Sequence, residues 1–179
     1  MDLRTPRLRG DRVQPFHLDE LRRMHQDDRV MEHLGGVRDD DWTRAYLARN
    51  LAHWDAHNYG LWIMYEGDSA GPIGRGVLRH LDVEGVDEVE TGYAFYEQYW
   101  GRGYATEVTR ACLALGFDQL GLTSIVAVTT LGNTASQHVL QKCGMHYERT
   151  FQRDDETLAL FRIFASAYSA QPHSPYISR

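Results

Sequence analysis

Two glycines between a strand and a helix constrain this chain more than any other feature. The run Gln98-Tyr99-Trp100-Gly101-Arg102-Gly103-Tyr104-Ala105-Thr106 follows a strand-like segment at 86–96 and opens a helix-like segment at 104–120. A glycine turn in that setting leaves several backbone N–H groups unpaired and pointing outward, at the positive end of the helix dipole. Such a place suits a phosphate or pyrophosphate, and glycine at 101 and 103 lets the backbone approach an anion closely. The turn lacks the Gly-Lys-Ser/Thr ending of a P-loop and the three spaced glycines of a dinucleotide-binding fingerprint.

The 179 residues make one domain's worth of chain, expected over 1–170 with a tail at 171–179. Composition is that of a folded protein, 42% hydrophobic and 25% charged. A net charge of −6 supplies no global basic field for nucleic acid. Cys112 and Cys143 are too few for a disulfide framework and read as buried packing groups. No apolar run approaches the ~18 residues of a membrane span, and the first residues lack the apolar core of a secretory signal. The expectation is a cytoplasmic protein with no membrane partner.

Periodicity predicts a strand over 3–15 and a short helix over 18–26. Asp39, Asp40 and Asp41 are placed to cap a longer helix at 42–57, with Tyr46, Leu47, Leu51 and Trp54 at helical spacing. Strands follow at 61–65, 73–81 and 86–96, joined by turns at 66–71 and 82–85 that suit antiparallel hairpins. After the glycine turn and its helix comes a short strand at 124–129. Asn133 is placed to N-cap a second helix that Gly144 ends in the left-handed conformation. Final strands are expected at 145–151 and 158–165.

Gln98, Gly101 and Gly103 fall on the Gln/Arg-x-x-Gly-x-Gly/Ala signature, and the chain resembles the GNAT superfamily of acyl-CoA-dependent N-acyltransferases. Within it, the segments Glu90-Thr91-Gly92-Tyr93 with 100–107, Asn133 to Met145, and Arg29 to Gly35 resemble the RimJ/RimL branch of ribosomal-protein N-acetyltransferases. The resemblance implies an α/β (mixed α+β) GNAT fold: a central, mostly antiparallel twisted sheet with a splayed parallel pair, flanked by about four helices. It implies acetyl-CoA as co-substrate, no metal, and acetyl transfer to a primary amine by direct attack in a ternary complex. The acceptor would be a protein N-terminus or a small-molecule amine, and a homodimer is compatible with the branch.

By the same resemblance, the turn from Gln98 through Trp100, Gly101, Arg102, Gly103, Tyr104, Ala105 and Thr106 holds the CoA pyrophosphate. The strand end from about Tyr93 through Ala94, Phe95 and Tyr96 pairs with the pantetheine arm, and a free N–H near Phe95 or Tyr96 donates to the thioester oxygen. Glu90 is the candidate base, with a structural bond to a neighbouring backbone group or an arginine as its alternative. Asn133 and Ser136 face CoA, with Ser136 near the sulfur as a proton donor. The tyrosine acid that many members carry one helical turn later is replaced by Leu140. Asp82, Glu84, Asp87 and Glu88 read as a solvated turn or as a lure for a cationic acceptor. His53 and His57 share a helix face without a metal-binding pattern. Two other functions stay open: a non-catalytic acyl-CoA-binding regulator, and a transferase for another acyl donor.

Overall fold

The computed structural model describes residues 2–169, so the tail expected at 171–179 lies outside the described residues. The chain opens with β1 (Leu3–Arg4) and β2 (Leu8–Arg12), where the alternation predicts one continuous strand. Pro6, which has no N–H to give a ladder, sits in the break, and Thr5 turns the chain there. Its amide donates to Leu8 O at 3.0 Å, and its hydroxyl accepts from the Leu8 amide at 2.9 Å.

Three helices follow: α1 (Leu18–His25), the single turn α2 (Asp28–Met31) and α3 (Asp40–His57). Then come β3 (Leu61–Glu66), β4 (Pro72–Val83), β5 (Val86–Phe95), α4 (Tyr104–Ala114), β6 (Ser124–Thr130), α5 (Thr134–Lys142), β7 (His146–Arg153), β8 (Glu156–Phe164) and α6 (Ala165–Ser169). The helices number six among the described residues, because two short turns join the expected four. One eight-stranded sheet runs β1-β2-β3-β4-β5-β6-β8-β7, and β5–β6 is its parallel pair. This is the GNAT fold.

Local chemistry sets the helix ends. Asp39 Oδ1 accepts from the Trp42 amide at 2.7 Å, starting α3, and Asn58 in the left-handed conformation (φ 60°) ends it. Asn133 Oδ1 accepts from the Ser136 amide at 3.0 Å, and Gly144 (φ 80°) closes α5. The core lies between these helices and the sheet. Trp54 of α3 meets Trp62 of β3 edge-on at 5.3 Å, and both are buried. On the other side, α4 presses Val108 against Gly76 of β4.

The β4–β5 ladder is regular over ten pairs, from Gly74/Phe95 to Val83/Val86. The Tyr96 amide donates to Ile73 O at 3.1 Å, which fixes the phase of that ladder. Antiparallel pairs alternate in their bonding, so the amides of Glu90, Gly92 and Ala94 turn to β4. Those of Thr91, Tyr93 and Phe95 turn to β6. Yet β6 pairs with β5 only at Glu90/Val126. Beyond that point the amide groups of Tyr93 and Phe95 face a widening gap.

A Cβ on Gly74 would stand 2.3 Å from Ala94 O and 2.5 Å from Phe95 Cδ1. Gly74→Ala should therefore push β4 off β5 and cost about 1–3 kcal/mol of stability, read as a lower urea midpoint. An unchanged midpoint would contradict the close approach of these strands.

Candidate functional site

The β5–β6 gap forms the floor of a cleft of about 500 Å³, a size typical of small-molecule sites. The glycine turn stands at one end. Gly101 (φ 73°) and Gly103 (φ 83°) hold conformations that favour glycine. Gly103 is the N-cap of α4 and offers no side chain to its orphan donors. The Glu107 amide bonds Gly103 O at 3.1 Å, which leaves the first amides of the helix, at Tyr104, Ala105 and Thr106, outside the intrahelical ladder.

Of the residues expected at the cofactor, Ala94, Phe95, Trp100, Gly101, Gly103, Tyr104, Ala105, Thr106, Asn133 and Ser136 line this cleft. Tyr96, Gln98 and Arg102 are not among the lining residues. The Tyr96 amide is spent on Ile73, and its hydroxyl donates to Glu20 at 2.7 Å. A thioester-facing N–H at Tyr96 is therefore ruled out by the ladder's phase. Arg102 lies over the Tyr99 ring and reaches toward Glu66. Trp100 is fixed by its indole N–H, which donates to Phe95 O at 2.7 Å.

Deeper in the cleft, Glu90 is 7% exposed and pairs with Arg79, whose Nε and Nη2 donate to Oε1 at 2.7 and 2.6 Å. Ser136 Oγ lies 2.9 Å from Tyr93 Oη. Burial, which outweighs the bond to Ser136, pushes the Tyr93 hydroxyl up to about 12. Tyr93 opens the strand end expected to meet the cofactor arm, but its hydroxyl carries no local sequence signal. Arg75, Arg79 and Tyr99 also line the cleft and carry no local sequence signal.

The acidic hairpin is spent on structure. Glu84 pairs with Arg149 at 2.5 Å, Glu88 with Arg162 at 2.7 Å, Asp87 with His80 at 2.9 Å, and Asp82 caps the Gly85 amide. His80 joins His53 and His57 in a cluster whose ligand atoms lie within 4.8 Å of one another. Both nitrogens of His53 are engaged, one at Tyr59 O (2.8 Å) and one accepting from the His80 amide (3.1 Å). That bond caps β4 where β3 has ended. No helix among the described residues is long and apolar enough to cross a membrane.

Beneath the cleft, His25 is fully buried, bonded to Thr43 Oγ1 at 3.0 Å and set edge-on to Trp42 and Tyr46. Burial first, then the charges of Arg75 and Arg38, lower its pKa to about 3. The unfolded chain takes up this proton near the ordinary value of about 6.5, well before the folded chain does. Stability from His25 is thus fully present above that pH and lost as pH falls toward 3, with a slope approaching about 1.4 kcal/mol per pH unit. His25→Gln should flatten the pH dependence of the urea midpoint between pH 6 and 4 by that amount. Parallel curves for the two proteins would contradict a neutral buried imidazole.

Comparison with known proteins agrees with this architecture. A family model described as an acetyltransferase (GNAT) domain matches residues 7–146. The YkkB protein of Bacillus subtilis (strain 168) is 30% identical over 138 residues, 77% of this chain and 80% of that one. An acetyltransferase from Agrobacterium tumefaciens str. C58 superposes with a TM-score of 0.80 at 27% identity, covering 91% of this chain and 94% of its own. RimL, a ribosomal L7/L12 alpha-N-protein acetyltransferase solved with coenzyme A, has a TM-score of 0.75 over 93% and 99% of the two chains. At 13% identity that likeness concerns the fold. With the family model spanning most of its length and the splayed β5–β6 pair beside a glycine turn, this chain belongs to the GNAT acetyltransferase family.

Proposed function

We propose that this protein transfers an acetyl group from acetyl-CoA to a primary amine, by direct attack of the amine in a ternary complex. The observation that carries the reading is the β5–β6 wedge, with strand amides along it and unpaired helix-terminal amides at one end. Acetyl-CoA supplies an acetyl group activated as a thioester, on a long arm whose amides and phosphates complement that series of donors. The amides of Tyr104, Ala105 and Thr106 hold the phosphates, and the strand groups of Tyr93 and Phe95 orient the arm. Gln98, Arg102 and Tyr96 shape the turn from outside the cleft. The matches at 90–107 and 133–145 support a place near the RimJ/RimL branch.

Both Arg79 bonds fall on Glu90 Oε1, so Oε2 is the carboxylate oxygen that Arg79 leaves unengaged. Oε2 receives the proton that an ammonium must lose before its nitrogen attacks. As the C–N bond forms and the C–S bond breaks, negative charge passes to sulfur. The Tyr93–Ser136 couple donates a hydrogen bond to that charge. With its pKa near 12, Tyr93 stays protonated at neutral pH and acts as a donor rather than giving up its proton outright. It fills the part for which Leu140 has no hydroxyl, from β5 instead of α5. Burial pushes the Cys112 thiol up to about 12 and that of Cys143 to about 11. Neither supplies the thiolate that an acyl-cysteine route requires, which supports direct attack.

The test is thiol release from acetyl-CoA in the presence of peptide N-termini, amino acids, lysine peptides, polyamines and aminoglycosides. Release that needs both acetyl-CoA and one amine class is expected. Tyr93→Phe and Ser136→Ala should each lower kcat about 10- to 100-fold with acetyl-CoA binding retained. A folded sample that binds CoA and releases no thiol with any amine would sink the reading in favour of a CoA-binding regulator.

A further inference from the structure

Arg75 lies on β4 opposite Ala94, and Arg79 lies opposite Glu90, so both arginines share one face of the sheet. Both line the cleft, and both donate to the hydroxyl of Tyr46, Arg79 over 3.5 Å. Two guanidinium groups thus converge on one hydroxyl oxygen. The carboxylate beside them, Glu90, is committed to Arg79. Arg75 is 8% exposed, its Nε has no partner, and no carboxylate pairs with it among the described residues. Glu32, the other carboxylate lining the cleft, is tied to Arg29 at 3.0 Å. His25, on the far side of Tyr46, is kept neutral partly by the Arg75 charge.

A guanidinium taken out of water without a counter-charge is costly. Its planar fork matches a carboxylate, and it lines the cleft an acceptor must enter. We propose that the acceptor is an amine bearing a carboxylate, an amino-acid-like zwitterion, and that Arg75 binds that carboxylate. The proposal rests on the acetyl-transfer reading of the cleft. The same surplus positive charge favours the free amine over the ammonium of the bound acceptor, which helps attack and disfavours polycations.

The experiment compares free amino acids with their α-amides and with spermidine as acceptors, in the wild type and in Arg75→Gln. A preference for the carboxylate form of about 10-fold or more in kcat/KM is expected. Arg75→Gln should erase it through acceptor KM while the acetyl-CoA KM stays in place. Equal rates with acid and amide, or a preference for spermidine, would overturn the proposal and leave acetyl transfer standing. If no acceptor turned over, calorimetry with N-acetylglycine in the presence of CoA decides the matter separately. Binding that Arg75→Gln abolishes supports the anchor, and no binding to the wild type overturns it. Stability gives a third readout. Arg75→Met removes a lone buried charge and should raise Tm of the free protein, whereas an arginine retained only for structure predicts a fall.

Discussion

The groups in the cleft take their places from the way β5 divides its backbone between two neighbours. Its bonds to β4 are complete over ten pairs, while β6 meets it at a single position, Glu90/Val126. Strand groups that face a gap inside a sheet are costly unless something pairs with them. The wedge therefore offers a ligand backbone donors, the kind of pairing that strand addition uses with little regard for side chains. The phase of the β4 ladder, set by Tyr96 and Ile73, decides which amides are offered.

A second constraint holds the glycine turn against this wedge. Glu107, in the first turn of α4 and 5% exposed, accepts from Thr5 Oγ1 at 2.5 Å and from the Arg7 amide at 2.9 Å. Arg7 pairs with the same carboxylate at 2.6 Å and reaches Arg102 O at 2.9 Å. A carboxylate at a helix start suits the dipole but would repel a phosphate there. Arg7 offsets that repulsion and ties the turn to the β1–β2 connection. The break between β1 and β2 thus serves the site, which is why the alternating pattern alone reads through it.

Elements governed by local chemistry were legible in the sequence. The caps at Asp39 and Asn133, the left-handed Gly144 and the glycine turn each depend on a few adjacent residues, and each stands where its pattern puts it. Contacts across the fold were not. Tyr93 meets Ser136 across 43 residues, and Tyr46 meets Arg75 across 29. Part of this was within reach. The turn at 84–85 pairs Val83 with Val86, and counting back along both strands sets Arg79 opposite Glu90 and Arg75 opposite Ala94. The same count gives Tyr96 an inward amide once one ladder bond is known. Charge counted along the hairpin is incomplete, because Glu84 and Glu88 find partners on β7 and β8 that no local window contains.

Side-chain alternation along β5 divides the chemistry between two faces of the sheet. Glu90 and Gly92 share the face of Arg75, Arg79 and Tyr46, while Tyr93 points to the face of α4 and α5, where Ser136 meets it. The proposed base and the proposed carboxylate anchor are thus on one side, and the hydroxyl couple is on the other. The gap between β5 and β6 joins the two. In the proposed reaction an acyl carbon lying in that gap would meet the amine from the Glu90 side and direct its sulfur to the Tyr93 side. Gly92 keeps the first side clear, since any Cβ there would stand 3.2 Å from Val77 Cγ1 and narrow the passage between the arginines. Holding the proposed base and the hydroxyl couple on separate sides keeps the path of the amine to the carbonyl carbon clear of the donor that meets the sulfur. That separation follows from strand parity and one missing stretch of pairing.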